Sequence, residues 1–299
     1  MSVSPPLDPA TGTHQAGQRP VSRPLDRPLW WTQIVLAVGF AWGYDALRAL
    51  HGDVQTAAMR NGRDVLRIDR GLHASWVESF SNWIAQRDAV SDLLAGYYVV
   101  MHLGVVALTL VILWVHGHRY RWHRDALLAL SGLSFVVFWF YPVAPPRLIG
   151  AGFPDTVRHV LPFAYRTEAA AANLYAAVPS LHVAWALWVT IALWAISGRW
   201  WVRTLAIGHT VATVVTVLGT GNHYLFDVLT GVAATIVGYA VLPALVFLGR
   251  WIWPELVRVE VPAVPWPRPR LAAVAPEPTT IDLVRAEFDD RERRRADCR

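Results

Sequence analysis

The chain has 299 residues, 54% hydrophobic and only 16% charged, with a mean hydropathy of +0.32. Soluble domains carry about 25% charged residues, so an ordinary soluble globular enzyme is excluded, and a chain this apolar is not disordered overall. The formal net charge is +5, from 27 basic and 22 acidic residues, and every basic residue is arginine. These arginines sit between apolar runs and in the tail, a distribution that suits anionic lipid headgroups and not nucleic acid. The lone cysteine, Cys298, excludes an internal disulfide.

Residues 1–28 are polar and carry Pro5, Pro6, Pro20, Pro24 and Pro28, which predicts a disordered cytoplasmic tail. Six apolar windows follow, at Leu29–Leu50, Leu93–Val115, Leu127–Tyr141, Val183–Ile196, Val202–Leu218 and Tyr224–Leu248. A bilayer core takes about 20 apolar residues per helix, so the third and fourth need flanking residues to complete a crossing. The runs are continuous and rich in Ala, Leu and Trp, which favours helix over alternating strand. Tryptophans cluster at the ends, as at Trp30, Trp31, Trp114, Trp200, Trp201, Trp251 and Trp253, where side chains of that kind meet headgroups. The first window has no small-residue cleavage site and reads as an uncleaved anchor.

The fold expected is therefore all-α: a six-helix transmembrane bundle over residues 29–250. Residues 251–299 form a Pro-rich, then charged cytoplasmic tail, in which Thr279–Arg299 is able to form a short helix. Arg119, Arg121 and Arg124 in one short connection, with Arg199 and Arg203 in another, put both termini in the cytoplasm of a bacterial plasma membrane. Arg60, Arg63, Arg67 and Arg70 fall on the opposite side, in what reads as a long loop that also holds Asp64, Asp69 and Glu78. Within that region Leu72, Trp76, Phe80, Trp83 and Ile84 recur at helical spacing, an amphipathic helix lying in the extracytoplasmic interface or packed on its neighbours.

Three polar stretches break the apolar pattern, and six spans put all three on one face. They are Tyr141–Arg147, Val178–His182 and Gly219–Asp227. Ionisable groups at a membrane boundary are costly and mark function. His223 and Asp227 are four apart, so a helix sets them on one face, and a carboxylate on one ring nitrogen leaves the other free as nucleophile. Asn222 is expected to cap that helix, while Gly219 and Gly221 let the backbone approach a ligand closely. Pro179-Ser180 reads as a helix start, with Ser180 as N-cap and His182 in the first turn, placed to donate a proton to a leaving oxygen. Arg147 adds a fixed cation able to grip phosphate. Together these are the parts of phosphoryl transfer through a phosphohistidine.

Pro179-Ser180-Leu181-His182-Val183-Ala184-Trp185 and Gly221-Asn222-His223-Tyr224, followed by Asp227 and Gly231, resemble the type 2 phosphatidic acid phosphatase superfamily. They are closest to its inositolphosphotransferase-like branch, which includes the Aur-type inositol phosphorylceramide synthases. The resemblance spans about residues 90–245. It implies a six-helix bundle with an extracytoplasmic active site and neither metal nor cofactor. His223 would be the nucleophile, Asp227 its partner and His182 the general acid, then base. Arg147, Ser180, Asn222 and Tyr224 would bind phosphate and substrate, and His102 would line the same pocket or make a core hydrogen bond. Two superfamily cations are missing: Phe140 and Leu148 interrupt the first motif, and Thr216 and Val217 open the third. Arg158, His159 and Arg166 are the substitutes on offer.

The function expected is a membrane phosphotransferase that moves a phosphoryl-bearing group from a phospholipid or polyprenyl phosphate to an alcohol. A phosphatase with water as acceptor is the alternative. A proton-conducting transporter would need charged groups deep in several spans, and a metal hydrolase would take His182, His223 and Asp227 as ligands.

Overall fold

The computed structural model describes residues 28–49, 54–117, 119–156 and 174–252. Continuous apolar runs of good helix formers fold as predicted, and the described chain is all-α. Its helices are α1 (Trp30–Ala49), α2 (Gln55–Gly71), α3 (Trp76–Ala85), α4 (Asp88–His116), α5 (Tyr120–Phe140), α6 (Leu181–Ile196), α7 (Trp200–Gly219) and α8 (Leu225–Ile252), with a 3-10 turn at Pro146–Leu148. Extended pairing among the described residues is confined to one bridge, between Val143 and Ala176. The tails expected at 1–28 and 251–299 fall almost wholly outside the described residues.

Each apolar window coincides with a helix. The third is completed at its N-terminal end by Tyr120–Ala126, while the fourth remains short, at 16 residues. Among the described residues Trp200–Gly219 is long and apolar enough to cross a bilayer in one piece. Asp88–His116 qualifies when its 42° bend between Met101 and Leu103 is taken within one span.

The centre of the bundle is α6, against which α4, α5, α7 and α8 all pack. Half of its buried residues are alanines (Ala184, Ala186, Ala192), which lets neighbouring backbones come close, and the fully buried Trp188 donates its indole N–H to His123 O at 2.7 Å. The start of α8 crosses the start of α6 at Gly231, where any Cβ would lie 2.6 Å from Ser180 O. By contrast α1 stands at the margin. Tyr44 and Phe40 stack on Phe135 of α5, with centroids 3.9 and 5.2 Å away. Nearer its start Gln33 Oε1 accepts from Arg124 Nη1 at 2.8 Å and Tyr120 Oη at 3.2 Å.

The long loop expected around Arg60–Arg70 is instead α2, a correction with a plain cause. Ala58, Asn61, Gly62, Val65, Leu66 and Asp69 repeat at helical spacing on its buried face, and the arginines occupy the other. Polar Asn61, Gly62 and Asp69 on the inner face disguise the pattern. The amphipathic helix read from residue 72 begins at Trp76. It buries Val77, Ser81 and Ile84 while exposing Trp76 and Trp83.

Candidate functional site

The site is assembled where α2, the Tyr141–Leu148 segment and the starts of α6 and α8 meet. The buried face of α2 packs on Val143, Ala144, Ile149 and Tyr224. Asn61 Nδ2 donates to Pro142 O at 2.8 Å, and Ala144 N to Ala58 O at 3.0 Å. Val143 exchanges strand-like bonds with the segment entering α6, namely Val143 N to Tyr175 O at 2.8 Å and Ala177 N to Val143 O at 3.2 Å. The three polar stretches are thus tied together through backbone, which is stiffer than side-chain contact alone.

Two carboxylates organise the start of α8. The first amide groups of a helix lack partners within it. Here Leu225 N and Phe226 N donate to the two oxygens of Asp69, each at 2.8 Å, and Tyr224 N donates to Asp227 Oδ2 at 2.9 Å. Burial pushes the Asp69 carboxyl above its ordinary range, and the two amide bonds pull against that shift. The positive end of α8 is therefore already matched by acids, and α6 supplies the other helix N-terminus at the site. Ser180 caps α6 as expected, its Oγ accepting from Val183 N at 3.5 Å, while its own N–H donates to Asp227 O at 3.1 Å. That second bond joins the two histidine-bearing stretches directly.

His223 precedes α8 by two residues, yet its Nδ1 still lies 3.0 Å from Asp227 Oδ2. The same nitrogen lies 3.0 Å from Ala177 O. A carbonyl oxygen only accepts, so Nδ1 carries a proton, and in the neutral imidazole the lone pair is on Nε2. His182 approaches from α6, its ring centroid 5.6 Å from that of His223 at an interplanar angle of 65°. Tyr98 of α4 stacks on the other side of His182, with centroids 4.5 Å apart. Asp227 is fully buried, and its Oδ1 has no hydrogen-bond partner among the described residues. Such an arrangement can hold a nucleophilic nitrogen, orient it and bring a second imidazole to the same guest.

Arg147 reaches this centre from the 3-10 turn. Its Nε donates to Asn222 Oδ1 at 2.7 Å, its Nη1 lies 3.3 Å from Asp155 Oδ2, and its backbone N–H donates to Gly221 O at 3.1 Å. A cavity of about 1030 Å³ is lined by Arg147, His182, Asn222 and His223 together.

Other expectations fall elsewhere. Asn222 does not cap α8: its amide binds Arg147 and Thr220 Oγ1, while Asp69 and Asp227 occupy the amides a cap would serve. Gly219 and Gly221 admit protein and not ligand. Gly221, at φ +68°, would set a Cβ 2.9 Å from Pro154 O, and Gly219 faces Ile84 and Phe80. Tyr224 is fully buried and gives its hydroxyl to Ala144 O at 3.0 Å, so it is not brought to the cavity. Ser180 is fully buried and is not brought to the cavity lining. His102 lies on α4, but its side chain is outside the described residues, as are Arg158, His159 and Arg166. Asp69 and Tyr98 were missed. Asp69 announces itself only once α2 is seen as a helix with an acid on its apolar face. Among the described residues no cluster of three His, Cys, Asp or Glu is arranged to hold a metal ion.

The sequence profile of the PAP2 superfamily matches residues 63–241, a stretch that contains Asp69, Tyr98, Arg147, His182, His223 and Asp227. The chain is 29% identical over 196 residues to a phosphoinositol dihydroceramide synthase of Bacteroides thetaiotaomicron. That match covers 58% of this chain and 61% of the relative, so the chain spans about three-fifths of that protein's length. No solved structure matches. On this evidence the chain belongs to the PAP2 superfamily.

Proposed function

We propose that the chain is an integral-membrane lipid phosphotransferase working through a phosphohistidine at His223. The observation that carries this reading is that His223 Nδ1–H faces two acceptors, Ala177 O and Asp227 Oδ2, which leaves Nε2 as the nucleophile beside a second imidazole. In the first step Nε2 attacks the phosphorus of a phospholipid or polyprenyl phosphate donor, the bond to the leaving oxygen breaks, and His182 gives that oxygen its proton. Asp227 steadies the ring as it becomes cationic, and Arg147 carries phosphate oxygens. In the second step an alcohol attacks the phosphorus and passes its proton to His182, and the P–N bond breaks. No metal enters the cycle. The relative's name favours a phospho-headgroup as the group moved and a lipid alcohol as its acceptor. In the phosphatase reading water takes the place of the alcohol acceptor.

A bilayer setting is supported by the broad apolar surface. Trp30, Val35 and Trp42 on α1, Leu108 and Val111 on α4, and Leu205 and Val211 on α7 are all exposed, far more than a soluble monomer tolerates. In this reading α1 and α4 to α8 make six crossings, the tails are cytoplasmic, and the histidine pair, α2 and α3 lie at the extracytoplasmic face. The test is a donor labelled at phosphorus, in the presence of excess EDTA. Wild type should acquire acid-labile, alkali-stable label and His223→Asn none; label that persists in His223→Asn, or turnover that stops with EDTA, overturns the reading.

A further inference from the structure

The cavity that begins at the histidine pair does not end there. It continues between α1, α4, α5 and α6 as a hydrocarbon-lined space whose walls include Ala37 and Phe40 of α1, Ala107 and Leu110 of α4, and Leu127 and Phe135 of α5. Arg124, Gln33 and Tyr120 line the opposite end, joined by their hydrogen bonds. At a rise of 1.5 Å per residue, Arg124 and Phe138 on the α5 wall are about 21 Å apart. A hydrocarbon core is about 30 Å thick, about 15 Å to a leaflet, so the wall is longer than one leaflet, room for an extended lipid tail and far more than a headgroup needs. At about 1030 Å³ the space is at the upper limit of small-molecule pockets, which run to roughly 1,000 Å³. One of its walls, α1, lies outside the stretch the family profile matches.

We propose that this space is a slot for the hydrocarbon chain of the lipid donor, with α1 as the wall that selects the chain. The donor's phosphate meets Arg147 and the histidines first, and the tail bonded to that phosphate leads on into the slot toward the Arg124–Gln33 floor. Apolar walls reward each methylene they cover, and the polar floor ends that reward, so chain length is measured. This proposal rests on the reading of the histidine pair as a lipid phosphotransfer centre.

Ala37→Trp and Ala107→Trp, on α1 and α4, obstruct the slot midway. The ratio of kcat/KM for a long-chain phosphatidyl donor to that for a soluble short-chain analogue should fall by at least about tenfold in each. An unchanged ratio overturns the slot. Unaltered protein provides a second arm. A donor analogue with a photoreactive group at its chain end should label α1 or the Tyr120–Leu128 end of α5. Label on the lipid-facing side of α7, or labelling of the slot by an acceptor-alcohol analogue alone, overturns the proposal. If wild type turns over neither donor, the phosphotransfer reading fails, and the pattern of labelling still decides the slot.

Discussion

Asp227 places one carboxylate oxygen on His223 Nδ1 and Tyr224 N and buries the other without a hydrogen-bond partner among the described residues. A buried, half-satisfied carboxylate is a cost to folding, so its value lies in the histidine it orients. Asp227→Asn keeps the shape and removes the charge. It should leave the thermal unfolding temperature in detergent within a few degrees while lowering kcat by about 10³- to 10⁴-fold, the loss that follows when an orienting acid no longer fixes the tautomer. A loss of activity matched by a loss of folded protein would make Asp227 a fold residue only. At this scale much was legible. The i, i+4 spacing of His223 and Asp227 and the helix start at Ser180 suffice to foresee the convergence of the two imidazoles. Asn222 misled because a residue before a helix is read locally as its cap, whereas Asp69, more than 150 positions away in sequence, had already taken the amides.

Among the elements α2 matters most. It roofs the site with its apolar face and delivers Asp69 to α8. Asp69→Asn can accept only with its remaining oxygen and turns an N–H toward an N–H. The expected cost is about 1–3 kcal/mol in unfolding free energy, with a fall in kcat, because the turn it holds carries His223 and Asp227. Unfolding curves and initial rates on the same preparation check this; unchanged stability would mean the amides find another acceptor. The apolar windows gave away α1 and α4 to α8 because burial and a bilayer both demand long hydrophobic runs. Nothing comparable marks α2, whose inner face mixes Ala58, Val65 and Leu66 with Asn61, Gly62 and Asp69. Those polar residues are there to bond loops that are not adjacent in sequence, and a local pattern does not register such partners.

In the molecule as a whole, polar contacts among the described residues pin particular pairs of helices together. Tyr97 of α4 brings its hydroxyl to His209 Nδ1 at 2.6 Å and Thr213 Oγ1 at 3.3 Å on α7, a latch away from the histidine pair. Hydrogen bonds between helices in lipid are worth about 0.6 kcal/mol on average, so the bundle relies mainly on close packing around α6. The position of α1 was not legible. Its sequence announces a hydrophobic helix, and only the aromatic stack on Phe135 and the Gln33 bonds reveal that it leans on α5 with space left beside it. Reaction and grip therefore reside in different stretches of the chain: bond-making groups lie between Tyr141 and Gly231, and the outer wall of the tail slot ends before residue 50. Replacing that first helix with a foreign one of other girth should retune which tails are accepted while the acid-labile phosphoenzyme still forms, making the N-terminal segment an interchangeable fitting on an unaltered engine.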